Sequence, residues 1–123
     1  MKPDAVSLNP RRRKYGNHKV SVDGLTFDSK AEYRYWLHCL IRAKSKEIFN
    51  LERQVVYVLA PAVVINGRKR PALRYIADMQ WNEKSPDGNL VVADVKGTVT
   101  PEYRIKRHLM MTVHGISIRE IRL

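Results

Sequence analysis

The spacing of apolar and polar positions changes several times along the chain, and each change predicts a new element. Residues 19–27 alternate on either side of Asp23-Gly24, a pair typical of tight hairpin turns. From Ser29 to about Lys46 there is no Pro or Gly, and apolar residues recur at helical spacing. Ser29 also precedes Glu32 by three positions, as in a capping box. We therefore expect a hairpin followed by a helix with one buried face.

Three segments rich in apolar and aromatic residues follow this helix, and we expect them to form antiparallel neighbours in one sheet. They run from Leu51 to Leu59, from Leu73 to Trp81 and from Asn89 to Lys96. Between the first two, Asn66-Gly67 and a basic trio predict an irregular stretch.

The remaining residues predict one more helix and one more strand. Thr100-Pro101 offers an N-cap and a first-turn proline for a helix to about Val113, before Gly115. Residues 116–121 then alternate as a strand. The expected fold class is α+β, a central mixed sheet with flanking helices. Its core order is α-β-β-β-α-β, preceded by the short β-hairpin.

Two acids and a lysine lie inside the second and third predicted strands. A three-residue hairpin loop between these strands would pair Ser85 with Asn89. Counting outward from that pair places Asp78 opposite Lys96, with Asp94 on the diagonal and on the same face. This loop length therefore predicts that the three side chains converge.

The acids need a partner there, because burying an unpaired carboxylate in an apolar strand is costly. Asp78 follows Tyr75-Ile76-Ala77, and Asp94 follows residues 90–93, which are all apolar. One interpretation is a structural salt bridge from Lys96 to both acids. The other is a metal site with oxygen ligands, and the pattern alone favours neither.

Charge narrows the choice of partner. The chain has 123 residues with 23 Lys and Arg against 12 Asp and Glu, which gives a net charge of +11. Such an excess favours a polyanion such as nucleic acid. No membrane partner is expected, because no terminal segment forms a basic amphipathic helix. Residues 1–17 predict a basic flexible N-terminal arm, which precedes a single domain of residues 18–123.

Cysteine usage and hydropathy bear on the compartment. Cys39 is the only cysteine, which excludes a disulfide framework within the chain and a cysteine-ligated zinc site. No apolar run is long enough to span a bilayer. We expect a soluble protein of the reducing cytoplasm.

The order and spacing of the acidic motifs resemble a known family. The segment Tyr75-Ile76-Ala77-Asp78, followed by Val91-Val92-Ala93-Asp94-Val95-Lys96-Gly97, resembles the PD-(D/E)XK nuclease superfamily, with Glu32 at its first acidic position. The chain is most similar to small phage and prophage proteins of this type. In layout it is similar to phage endonuclease I Holliday-junction resolvases. The resemblance spans residues 20–121 and implies a restriction-endonuclease-like fold.

The resemblance also implies roles for individual residues. Asp78 and Asp94 would hold Mg²⁺ or Mn²⁺, with the Val95 carbonyl as a third protein ligand. Lys96 would orient the attacking water or stabilise charge on the phosphate. Glu32 would be a metal ligand or lie next to one, although its position in the capping box accounts for it equally well.

Basic residues outside these motifs are candidates for phosphate contacts, with a solvated surface as the alternative. They are Lys30, Arg104, Lys106, Arg107, Arg11, Arg12, Arg13, Lys14, Arg68, Lys69 and Arg70. For Arg104, Lys106 and Arg107 on the last helix the pattern favours phosphate contact, because few acids on that helix balance their charge.

The expected function is divalent-metal-dependent hydrolysis of DNA phosphodiester bonds in phage DNA metabolism, with branched DNA among the substrates. Two-fold recognition of a junction by so short a chain would require a homodimer. For a phage-encoded protein the compartment would be the host cytoplasm. The alternative is a non-catalytic nucleic-acid-binding module in which the two acids and the lysine form a structural cluster.

Overall fold

The computed structural model describes residues 19–123. The predicted arm of residues 1–17, which includes Arg11, Arg12, Arg13 and Lys14, lies outside the described residues. Backbone contacts divide the chain after Tyr35 into two compact units, and this boundary falls inside the first helix.

The first unit contains the predicted hairpin. Strands β1 (Val20–Val22) and β2 (Leu25–Phe27) pair antiparallel across Asp23 and Gly24. These two residues have φ of 52° and 81°, and two left-handed residues are what a type I′ turn requires. The hairpin prediction is confirmed.

Helix α1 (Lys30–Lys44) follows the hairpin and begins with reciprocal capping bonds. The Glu32 backbone N–H donates to Ser29 Oγ at 3.1 Å, and the Asp28 N–H donates to Glu32 Oε1 at 3.0 Å. The return bond thus reaches one residue beyond the usual capping box, which joins the end of β2 to the helix. The predicted helix start is confirmed.

The second unit is built on a four-stranded mixed sheet. The strands of this unit are β3 (Ile48–Ala60), β4 (Val63–Ile65), β5 (Arg68–Arg70), β6 (Leu73–Glu83), β7 (Leu90–Val95) and β8 (Arg119–Ile121). The sheet order is β3-β6-β7-β8, in which β3, β6 and β7 are antiparallel neighbours and β8 runs parallel to β7. The α+β class and the three antiparallel neighbours are confirmed.

Two segments differ from their predictions. The stretch predicted as irregular is a small hairpin of β4 and β5, because Asn66 and Gly67 have φ of 52° and 76° and form a tight turn. The last strand is shorter than predicted and begins only at Arg119.

Helix α2 (Pro101–His114) has the predicted boundaries within one residue. Thr100 Oγ1 accepts from the Tyr103 N–H at 3.1 Å, and Pro101 occupies the first turn. Gly115 ends the helix with φ of 69°. Neither helix in residues 19–123 is both long and apolar enough to cross a membrane.

Helix α2 and the part of α1 that belongs to the second unit lie on opposite faces of the sheet. Met79 is paired with Ala93, and its sulfur lies 3.7 Å from the Cys39 sulfur on α1. The next residue of β7, Val92, packs in a core cluster with Tyr103 and Met110 of α2. Neighbouring residues of a strand point to opposite faces, so Cys39 of α1 and helix α2 lie on different sides.

The register between β6 and β7 differs from the prediction by two residues. The ladder pairs Met79 with Ala93, and the Glu83 N–H donates to the Asn89 carbonyl at 2.9 Å. Residues 84–88 therefore form a five-residue loop, closed by a bond from the Gly88 N–H to the Ser85 carbonyl. The predicted Ser85–Asn89 pair is wrong. A shift of two residues leaves the faces of the ladder residues unchanged.

Side-chain alternation breaks at the level of Asp78. Arg53 and Met79 are paired and contact α1, through Trp36 and Cys39 respectively. Val55 and Ala77, the pair two residues further along each strand, should share the face of Arg53 and Met79. They pack instead in the cluster that faces α2. The residue between Arg53 and Val55 is Gln54, which has φ of 53°. The register count that placed Asp78 on the face of Asp94 assumed unbroken alternation, so it does not hold through this position.

Candidate functional site

The carboxylate of Asp94 is buried at the end of β7, with 5% of the residue exposed, and each of its oxygens has a partner. The Tyr75 hydroxyl donates to Oδ2 at 2.6 Å. The Lys96 ammonium lies 3.4 Å from Oδ1. The predicted pairing of Asp94 with Lys96 is therefore present, and a tyrosine joins it.

Tyr75 is a fixed hydrogen-bond donor in this cluster. Burial raises the pKa of its hydroxyl far above the ordinary value, and the neighbouring Asp94 carboxylate raises the pKa further. Both effects disfavour a phenolate beside a carboxylate. Tyr75 thus stays protonated and holds one oxygen of Asp94 in place.

Asp78 is half-buried at the point where the β6–β7 ladder ends. Its Oδ2 accepts from the backbone N–H of Val95 at 2.8 Å. Val95 lies between Asp94 and Lys96 in the chain, so Asp78 contacts the backbone that carries the other two predicted residues. The metal-ligand role of the Val95 carbonyl stays a prediction.

Lys96 is fixed at both ends. Its backbone N–H donates to the Ile121 carbonyl on β8 at 2.9 Å. Its ammonium lies 3.8 Å from the centre of the Tyr103 ring, within the distance of a cation–π contact. With 19% of its side chain exposed, Lys96 is held between Asp94 and α2.

Glu120 on β8 accepts hydrogen bonds from three side chains near Lys96. Tyr103 Oη donates to Oε2 at 2.8 Å, Arg107 donates to the same oxygen at 2.7 Å, and Arg122 donates to Oε1 at 3.1 Å. Burial opposes the charge, but the bonds from Arg107 and Tyr103 outweigh it and lower the pKa of Glu120. Burial raises the pKa of the Tyr103 hydroxyl, and the bond to Glu120 raises it further, so the hydroxyl remains a donor.

The sequence alone assigned no role to Tyr75, Tyr103 or Glu120. Tyr75 lies in the same short motif as Asp78, but its reach to Asp94 depends on the strand register. Glu120 is an acid in an alternating strand, and its role depends on the parallel pairing of β8 with β7. Neither relation is local in sequence.

The predicted phosphate contacts lie on several elements. On α2, Lys106 pairs with Glu102 at 3.1 Å and Arg107 pairs with Glu120, so acids balance two of the three basic residues. Lys106 is paired with an acid of the helix itself, and Arg107 with an acid of β8. Their role as phosphate contacts stays a prediction. Arg104 is exposed and lines a depression of about 440 Å³ with His108. Arg68, Lys69 and Arg70 are exposed on β5, and Lys30 is exposed in the first unit.

Glu32, the remaining predicted site residue, is buried and performs the capping role. That bond uses one carboxylate oxygen. Its role as a metal ligand stays a prediction.

Comparison with known proteins places the chain beside one family. A family model described as "Protein of unknown function (DUF1064)" matches residues 12–123. No curated protein and no solved structure matches the chain.

Proposed function

This chain belongs to the DUF1064 family, whose description assigns no activity, and from its own residues we propose a Mg²⁺- or Mn²⁺-dependent endodeoxyribonuclease of the PD-(D/E)XK type. The observation that carries the proposal is the buried Asp94 carboxylate with Lys96 at 3.4 Å, inside a chain of net charge +11. A strongly basic protein has few acids, and a buried acid beside a lysine is costly to keep for packing alone.

The topology supports a restriction-endonuclease-like fold. The core order is α-β-β-β-α-β once the two small hairpins are set aside, with three antiparallel strands and a final parallel strand. The acids lie on the two central strands, β6 and β7. Cys39 of α1 contacts one face of the sheet, and α2 packs on the other.

The chemistry of the donor set fits a hard divalent cation, which prefers carboxylate oxygens. The Lys96–Asp94 contact of 3.4 Å is longer than the roughly 2.7–2.9 Å of a strong charge-assisted hydrogen bond. Oδ1 is therefore the Asp94 oxygen that would most easily bind a metal cation. Asp78 and Asp94 would hold the metal, with the Val95 carbonyl as a further ligand. When bound, the metal would polarise the phosphate and lower the pKa of an attacking water.

Side chains around the metal site would position the carboxylate, stabilise charge and bind the DNA backbone. Tyr75 holds Asp94 Oδ2 and keeps the carboxylate from rotating. Lys96 supplies a positive charge next to the carboxylate, where it can stabilise charge on the phosphate. Arg104, Lys30 and the basic residues of β5 would contact the DNA backbone. Such contacts give little sequence preference and a steep dependence on salt.

The proposed substrates are DNA duplexes and branched intermediates of phage DNA metabolism, cut in the host cytoplasm. Junction cleavage would place one active site on each of two strands, which a homodimer supplies.

A second candidate function is a non-catalytic nucleic-acid-binding module. It is favoured by the fact that both oxygens of Asp94 already have protein partners. In that case the Tyr75, Asp94 and Lys96 contacts only stabilise the fold, and the basic surface alone binds DNA.

Metal-dependent cleavage separates the two functions. Supercoiled plasmid and a four-way junction are incubated with the wild type in Mg²⁺, Mn²⁺ or EDTA, beside Asp94→Asn and Asp78→Asn. Asp87→Asn, in the exposed 84–88 loop, is the matched control. We expect cleavage by the wild type and the control only with metal, and a loss of about 100-fold or more in the two site variants. Absence of wild-type cleavage, or equal cleavage by Asp94→Asn, would contradict the nuclease proposal.

A further inference from the structure

The cluster around Lys96 contains a residue that the proposed chemistry does not itself require. Tyr103 is buried in the core, and the centre of its ring lies 3.8 Å from the Lys96 ammonium. The Arg107 guanidinium lies 5.6 Å from the same ring. An aromatic face attracts cations, so the ring is placed to hold an ammonium at a defined point.

Several independent contacts fix the ring itself. The Tyr103 N–H donates to Thr100 Oγ1, so the residue is locked into the first turn of α2. Its hydroxyl donates to Glu120 on β8 at 2.8 Å. The centre of the ring also lies 6.4 Å from the centre of the Tyr75 ring, whose hydroxyl donates to Asp94.

We propose that Tyr103 is a positioning residue that holds the Lys96 ammonium beside Asp94, and that Glu120 anchors Tyr103 for this purpose. A lysine side chain has four rotatable bonds and would otherwise sample many rotamers. The 3.4 Å contact with Asp94 is too long to restrain it alone. The ring therefore supplies the second restraint and keeps the ammonium beside Asp94, where the proposed reaction would use its charge. The catalytic part of this proposal rests on the proposed nuclease function, but the positioning does not.

The positioning is measured by NMR without any activity. Protons above an aromatic ring are shifted upfield, so the ε-methylene signal of Lys96 is expected upfield of the other lysine signals. Through-bond correlations from the assigned Lys96 backbone identify this signal in the wild type. A wild-type Lys96 signal at the ordinary lysine position would overturn the proposal even if no variant folds.

Variants separate the ring from its hydroxyl. Tyr103→Phe keeps the ring and is expected to retain the upfield shift, whereas Tyr103→Leu is expected to lose it. Glu120→Gln weakens the anchor and is expected to reduce the shift. Tyr33→Leu, in the first unit, is the control for loss of a tyrosine elsewhere. If Tyr103→Leu folds and the Lys96 signal stays upfield, the ring does not hold the lysine and the proposal is wrong.

Cleavage assays then test the catalytic consequence. We expect kcat to fall about tenfold in Tyr103→Leu and much less in Tyr103→Phe, with KM little changed, since a cation–π contact accounts for roughly that factor. If the NMR shift behaves as expected and the wild type does not cleave DNA, the positioning stands and the nuclease proposal fails. Equal kcat in the wild type and Tyr103→Leu, with a cleaving wild type, would refute the catalytic part alone.

Discussion

The hydrogen bond from Tyr75 to Asp94 gives the sharpest test of the buried cluster. Tyr75→Phe removes one oxygen and leaves the ring to fill its place, so the core keeps its packing. The bond is 2.6 Å long, and the two residues are 4% and 5% exposed. A hydrogen bond to a charged group contributes about 1.5–3 kcal/mol to stability. We expect the free energy of unfolding to fall by this amount.

Urea unfolding followed by circular dichroism measures the change. With m of about 1.5 kcal/mol/M for a domain of this size, the midpoint should fall by about 1–2 M at unchanged m. Tyr57→Phe is the matched control, because its hydroxyl bonds the neutral side chain of Gln80. The control should lose only about 0.5–1.5 kcal/mol.

A double-mutant cycle identifies Asp94 as the cause. In an Asp94→Asn background the acceptor is neutral, so Tyr75→Phe should cost less than in the wild type. If Tyr75→Phe is as stable as the wild type, or if its cost is the same in both backgrounds, the bond to the carboxylate does not stabilise the fold as argued.

Three further predictions concern single groups. Cys39 is fully buried, and burial raises the pKa of its thiol to about 11, so it should react with thiol reagents only after unfolding in denaturant; fast labelling of the native protein would contradict this. The raised pKa values of Tyr75 and Tyr103 mean that the folded state holds these protons more tightly than the unfolded state, whose tyrosines titrate near 10. Stability should therefore be retained below about pH 10 and fall above it, and absorbance at alkaline pH should show the two phenols ionising only with unfolding. Glu32→Gln keeps an oxygen for the Asp28 N–H, so the variant should fold. The ligand role expected from the sequence predicts that its metal-dependent cleavage falls, because an amide is a poorer Mg²⁺ ligand than a carboxylate; equal cleavage by the variant would contradict that role.

Local features of the sequence determined most of the elements and their ends. Asp23-Gly24 and Thr100-Pro101 act through the conformations of one or two residues, so their turn and helix start could be predicted from the local sequence alone. The same rule applied to Asn66-Gly67 would have found the hairpin of β4 and β5. The pairing of Asp94 with Lys96 was also accessible, because residues two apart in a strand share a face.

Only the tertiary structure decided how the strands and helices bring distant residues to that pair. The five-residue loop and the break in alternation at Gln54 changed the register and the faces around Asp78, and neither follows from a local pattern. Tyr75 and Glu120 reach the cluster through pairings between strands, and Tyr103 reaches it from a helix. The sequence alone therefore determined which residues carry charge within apolar strands. The packing of β6, β7, β8 and α2 determined their partners, because a hydrogen bond depends on positions in space that separations along the chain do not specify.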